Sequence, residues 1–291
     1  FFFLLSGYFL AKSIEKESGN NPSKITVMYL LKRIKSILPE HIISCLLTLI
    51  TAVILSYESI QNAIYHIILS LPAFVLLPGW GFYDRIMLQE WYISNLLVVS
   101  TFLYPILLKK NKVFNRIICP ITSLILLSYI VSTTNDLSIN ISLRLFGGLL
   151  SIKTVRALAE IMLGIFMYEV VTFIKRYKYS NSQKTIFTII EIISYMSCLL
   201  IVNMNYEEFQ IYFLFIMFIA LTISLSEVSL INDIFNNKTC LLLGKLSLPM
   251  YMCHIFVINL LTIFKIADGN RMLQAIFVLT IKFYNNESHF F

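Results

Sequence analysis

Charge is what this sequence has least of. Only 13% of its 291 residues are Asp, Glu, Lys or Arg, against about 25% in ordinary soluble domains. Apolar side chains fill the shortfall, at 58% of the chain. A water-soluble globule is excluded by that balance, because one core cannot absorb so much apolar surface, and a polytopic membrane protein is the reading that remains. Acidic residues are scarcer than basic ones, 16 against 23, leaving a net charge of +7. The basic residues are divided among short loops and form no single stripe, which argues against a nucleic-acid partner. Metal-ligand spacing is also missing. His41, His66, His254 and His289 do not pair, and Cys45, Cys119, Cys198, Cys240 and Cys253 contain no CxxC. The cysteines read as small buried hydrophobes, with no metal site and no disulfide framework. There is no internal repeat, soluble domain or long disordered linker.

What the chain has instead is a series of apolar runs near the 20-residue length that crosses a bilayer. They cover 1–13, 38–56, 90–108, 114–133, 155–174, 185–204, 211–229, 246–264 and 271–284. A further run, 60–78, is interrupted by Pro72 and Pro78 and reads as a re-entrant or interfacial segment. Phe and Tyr are abundant, at 23 and 16, as lipid-facing and interfacial positions favour.

Every second connecting loop is basic. Lys24, Lys32, Arg33 and Lys35 lie in the first, Lys109, Lys110, Lys112 and Arg116 after 90–108, Lys175, Arg176, Lys178 and Lys184 after 155–174, and Lys238 and Lys245 before 246–264. The intervening loops are mixed or acidic. Positive residues accumulate on the cytoplasmic side, so the alternation places the basic loops there. The first run then crosses from outside to inside, and the expectation is that a helix precedes Phe1. The fold class predicted is an all-α, polytopic integral-membrane helical bundle forming one domain over 1–291, with about nine of about ten spans present.

Few side chains could carry chemistry. Segment 25–38 reads as an amphipathic helix at the cytoplasmic face. Its Lys32, Arg33 and Lys35 fit two readings: a topology signal touching anionic lipid, or a clamp for phosphate groups. Arg156 and Glu160 stand four apart on one helix face, and an arginine in an apolar helix is a candidate functional group. Trp91 and Tyr92 open a span and fit either an aromatic belt or a cavity wall. Glu169, Glu191 and Glu227 are read near helix ends. His254 follows Gly244 and Pro249, which suggest a turn and a helix start or kink; a lone helical histidine is more often a hydrogen-bonded structural group.

Together these segments resemble the acyltransferase-3 family of membrane-bound O-acyltransferases. FFFLLSGYFLAKS is similar to that family's FFxxSGFLL helix, and YLLKRIKSILP to its FxxRRxxRIxP loop. QEWYISNLLVVSTFLYPIL resembles its WYLSALL variant, VRALAEIMLGIFMY its RxxxxFxxGxxxY helix, and LLGKLSLPMYMCHIF its C-terminal LGKISYSIYLIHF. The motifs occur in family order across nearly the whole chain. Two positions depart: Ser36 stands where the second arginine of RxxR falls, with Lys35 beside it, and Leu96 stands near the place of a WSLxxE glutamate.

The resemblance implies transfer of an acyl group, usually acetyl, from cytoplasmic acetyl-CoA to a hydroxyl of a surface polysaccharide or lipid-linked glycan. Acetyl-CoA is a substrate, and no permanently bound cofactor or metal is implied. By position, Lys32, Arg33 and Lys35 would bind the coenzyme A phosphates. Trp91, Tyr92 and Tyr251 would line the substrate cavity, and Arg156 and His254 would serve catalysis. The family's main catalytic histidine is expected upstream of Phe1. Partners implied are membrane lipid and the glycan acceptor, in a bacterial plasma membrane; no nucleic acid is expected. A polysaccharide exporter or flippase is the alternative, because a many-helix body with buried polar groups also suits a translocation path.

Overall fold

The computed structural model describes residues 1–17, 21–55, 60–76, 90–134, 137, 144–145, 150–204, 209–235 and 237–264. The chain is helical there, apart from one antiparallel pair of two-residue strands, Arg144–Leu145 with Leu150–Ser151. The helices are α1 (Phe2–Ile14), α2 (Pro22–Leu55), α3 (Ile60–Phe74), α4 (Glu90–Leu107), α5 (Cys119–Thr134), α6 (Ile152–Ile174), α7 (Asn181–Met204), α8 (Gln210–Ser226), α9 (Asn232–Phe235) and α10 (Lys238–Ile263). A π-helical turn, Phe114–Ile118, leads into α5.

Among the described residues, five helices are long and apolar enough to cross a membrane: α2, α5 with its π turn, α6, α7 and α10. α1, α4 and α8 are apolar but shorter. A multi-pass integral membrane protein follows from these lengths. The predicted span 271–284 lies outside the described residues.

The chain divides into two compact units, residues 1–30 with 95–237 and residues 31–94 with 238–291. In the first, α6 is the central helix. Ala157, Ala159, Ile161, Ile165 and Met167 are wholly buried on it, and Ala159 and Met167 pack among side chains of α1, α5 and α8. Ser151 caps its N-terminus by accepting a hydrogen bond from Thr154 N at 3.2 Å. Two glycines let α1 and α6 meet backbone to backbone. A Cβ built on Gly7 would fall on the Ile161 carbonyl and within 2.9 Å of Gly164 Cα, and one on Gly164 would fall on the Leu4 carbonyl. This is the small-residue contact by which membrane helices gain van der Waals packing that lipid itself cannot drive. α7 turns the other way, with Ile186, Ile189, Ile193, Met196 and Leu200 exposed, as a lipid-facing surface requires.

The second unit is built inside out relative to a soluble protein. On α2 from residue 41 onward the buried side chains are His41, Ser44, Cys45, Thr48 and Thr51, while Ile42, Ile43, Leu46, Ile50 and Ile54 are exposed. Water would invert this arrangement. Hydrocarbon stabilises it, because polar groups must find partners within the protein.

Several expectations are corrected. The cytoplasmic helix 25–38 and the span 38–56 are one helix, α2, with Pro39 inside it. The proline removes a single backbone donor, and the carbonyl four residues back belongs to exposed Lys35, so no buried acceptor is orphaned. The interrupted run 60–78 is helical through Pro72 as far as Phe74. Pro78 lies outside the described residues. Gly244 and Pro249 neither turn nor start a helix, because both lie within α10. Glu191, read as near a helix end, lies mid-α7 and is 4% exposed, accepting a hydrogen bond from Ser224 of α8.

Candidate functional site

Polar groups gather in one seam of the second unit and at both ends of α6 in the first. The seam of the second unit starts from spacing. His41, Ser44, Thr48 and Thr51 recur at helical intervals, which aligns them on one face of α2. Ser44 donates to the Met252 carbonyl of α10 at 2.6 Å, and Asn259 Nδ2 of α10 donates to Thr51 Oγ1 at 3.2 Å. His41 is wholly buried. Its Nε2 lies 3.0 Å from the Ala73 carbonyl oxygen at the end of α3, so that nitrogen carries the proton and donates. Cys45 Sγ lies 3.7 Å from the same nitrogen. At the start of α4, Ser94 donates to the Leu76 carbonyl at 2.6 Å.

This seam collects three of the sequence-predicted residues. The Tyr92 and Tyr251 rings meet edge to face at 5.4 Å between centroids, and the Tyr251 and His254 rings lie 5.4 Å apart. His254 Nδ1 contacts the Tyr251 carbonyl one turn back. A carbonyl can only accept, so Nδ1 holds the proton and Nε2 presents its lone pair. Trp91, beside Tyr92, is half-buried. Along α2, Lys32 and Lys35 are exposed and Arg33 is half-buried.

Arg156 belongs to the first unit, where it is held on two sides. Its Nε is 2.7 Å from Glu160 Oε1, and a terminal nitrogen donates to the Leu137 carbonyl. Glu160 has a side chain only 2% exposed, so the guanidinium is the counter-ion that makes this burial tolerable. Nearby, Thr154 Oγ1 donates to Asn95 Oδ1 at 2.7 Å. Arg156 therefore joins Leu137 to α6.

At the opposite end of α6 the first unit gathers the charged ends of its helices. Lys110 Nζ, after α4, donates to the Glu17 carbonyl, after α1, at 3.1 Å. Arg116 Nε and Asn115 Nδ2, on the π turn, reach the two oxygens of Glu169 on α6 at 2.9 and 3.1 Å. The Tyr168 hydroxyl donates to Glu15, and Lys175 pairs with Glu227 at 2.7 Å. The loops that the charge pattern assigns to the cytoplasm thus share one end of this unit. A cleft of about 410 Å³ opens among them.

Sequence reasoning missed His41, Ser44, Thr51 and Asn259. The available signal was the polar recurrence inside the apolar run 38–56, which span counting averages away. Among the described residues no group of three His, Cys, Asp or Glu side chains is placed to hold a metal ion.

A family model described as an acyltransferase domain matches residues 1–282. No curated protein and no solved structure matches the chain.

Proposed function

Because the chain belongs to the acyltransferase-3 family and is a membrane acyltransferase, we propose that it is an O-acetyltransferase. In this reading it moves acetyl from cytoplasmic acetyl-CoA to a hydroxyl of a surface polysaccharide or its lipid-linked precursor. The supporting observation is the family match over 1–282, which runs through the buried polar seam of the second unit.

The reaction needs the acceptor hydroxyl proton removed as its oxygen attacks the thioester carbonyl carbon. The C–O bond forms, the C–S bond breaks, and the coenzyme A thiolate leaves with the transferred proton. Of the histidines with described side chains, His254 lies beside Tyr251 with its Nε2 not bonded to the Tyr251 carbonyl, and we assign it a supporting role in that proton transfer. His41 has committed its Nε2 proton to a backbone carbonyl, which suits a structural role. Tyr92, Tyr251 and Trp91 supply aromatic walls on which a sugar ring can rest. Lys32, Arg33 and Lys35 are assigned to the phosphates of the donor. Arg156, engaged by Glu160 and the Leu137 carbonyl, is a positioning residue in this scheme.

The test is transfer of label from acetyl-CoA to glycan ester by membranes containing the protein. Neutralising Lys32, Arg33 and Lys35 together should raise KM for acetyl-CoA by about tenfold or more, since each charge-assisted contact is worth about 1.5–3 kcal/mol. Absence of any acetyl-CoA-dependent ester would overturn the reading. Glycan movement across the membrane that is indifferent to the same neutralisation would favour an exporter.

A further inference from the structure

The cleft at the basic end of the first unit has no part in the scheme above. Its floor is apolar, made by Ala11 and Ile14 of α1 and by Leu107 at the end of α4. Its polar lining is Glu15, Lys110, Lys112, Asn115, Tyr168 and Glu169. The two carboxylates are already engaged, Glu15 by the Tyr168 hydroxyl and Glu169 by Asn115 and Arg116. Arg116 offsets the charge of Glu169 while Glu15 keeps its own, so Lys110 and Lys112 against Glu15 leave the cleft one net positive charge. Lys112 forms no hydrogen bond or ion pair among the described residues, and Lys110 donates to a backbone carbonyl.

The loop carrying both lysines is built in an unusual way. Lys110 has φ 50°, the left-handed conformation that glycine adopts freely just past a helix end and other residues adopt at a penalty. Here a long cation occupies it. Asn111 then caps the next segment, its side-chain oxygen accepting from Val113 N at 2.9 Å and Phe114 N at 3.4 Å. A π-helical turn follows, a geometry found frequently at functional sites, and it carries Asn115 into the cleft.

We propose that this cleft is a binding site for a phosphate ester. The Lys110 and Lys112 ammonium groups meet its oxygens as point charges, the second amide hydrogen of Asn115 donates to it, and the apolar floor accepts the carbon chain attached to it. The positive-inside rule opens the site to the cytoplasm. Two sources carry this chemistry there: the headgroup of an anionic phospholipid and a soluble nucleotide.

Binding to the protein in neutral detergent separates them. One arm titrates dihexanoyl phosphatidylglycerol, with dihexanoyl phosphatidylcholine as control. The other titrates coenzyme A, with adenosine as control, in a Lys32→Ala, Arg33→Ala, Lys35→Ala background so that the α2 cations do not contribute. Saturable binding is expected in at least one arm, weakened about tenfold or more by Lys110→Ala with Lys112→Ala and weakened by salt. Lys110→Gly supplies the fold control: it should melt no lower than the parent, because the strained conformation is relieved, and still lose affinity by about threefold or more. Binding in the first arm identifies a lipid site, and in the second a nucleotide site. Binding in neither arm, or affinity unchanged in both variants, overturns the proposal.

Discussion

Single residues in this protein divide by what surrounds them. Gly7 and Gly164 occupy a crossing with no room for a methyl group, whereas nothing lies within 4 Å of a Cβ built on Gly244. Gly7→Ala and Gly164→Ala should each lower the melting temperature, at a cost of about 1–3 kcal/mol for forcing α1 and α6 apart. Gly244→Ala should raise it, by about 0.5–1 kcal/mol for a glycine inside a helix. Equal effects from all three substitutions would refute the close crossing. Charge follows the same logic. Glu160→Ala strands a half-buried Arg156 and should destabilise by about 3–5 kcal/mol. Glu227→Ala removes a pair whose side chains are 38% and 72% exposed and should cost less than about 1 kcal/mol; parallel melts of the two variants decide it. The Gly7–Gly164 contact was not readable from the sequence. Each glycine is visible in a run of its own, but their meeting depends on the crossing of helices about 150 residues apart in the chain.

At the scale of elements, the apolar runs predicted the helices well, because span length and hydropathy are local properties of the chain. The runs 90–108, 114–133, 155–174 and 185–204 became α4, α5 with its π turn, α6 and α7, with ends displaced by a few residues. The errors fell at prolines and glycines. Pro39, Pro72, Pro249 and Gly244 all lie inside helices, because a membrane helix with packed neighbours tolerates breakers that would end a helix in water. The seam on α2 is the other element-scale feature. Its hydroxyls bind backbone and amide groups of α10. Ser44→Ala with Asn259→Ala should therefore loosen α10 on α2 by about 1 kcal/mol in total, since interhelical hydrogen bonds in membranes average about 0.6 kcal/mol each. The measurement is the melting temperature together with proteolysis near α10. An unchanged melt would mean that the seam faces a solvated path and stabilises little.

For the whole molecule, the alternation of loop charge and the contacts of the first unit agree. Lys110 with Glu17, Arg116 with Glu169 and Lys175 with Glu227 join helix ends that the charge pattern had already placed on one side. Labelling of single cysteines introduced at exposed Lys12, Lys109 and Lys178 from the two sides of sealed vesicles should show all three on the same, cytoplasmic face. Labelling from opposite faces would break the topology. The sequence by itself determined membrane residence, helical class and the acyltransferase-3 resemblance, because each is written in composition, run length or short ordered motifs. Tertiary structure decided the rest. It bonded Arg156 to the Leu137 carbonyl, set the Tyr92 ring against Tyr251, and turned the hydroxyls of α2 toward α10. It also enclosed a basic cleft with lysines that the sequence offered only as topology signals. The physical reason is range. Hydropathy acts residue by residue along the chain, whereas a hydrogen bond or an ion pair forms only where the packing of distant helices brings donor and acceptor within about 3 Å.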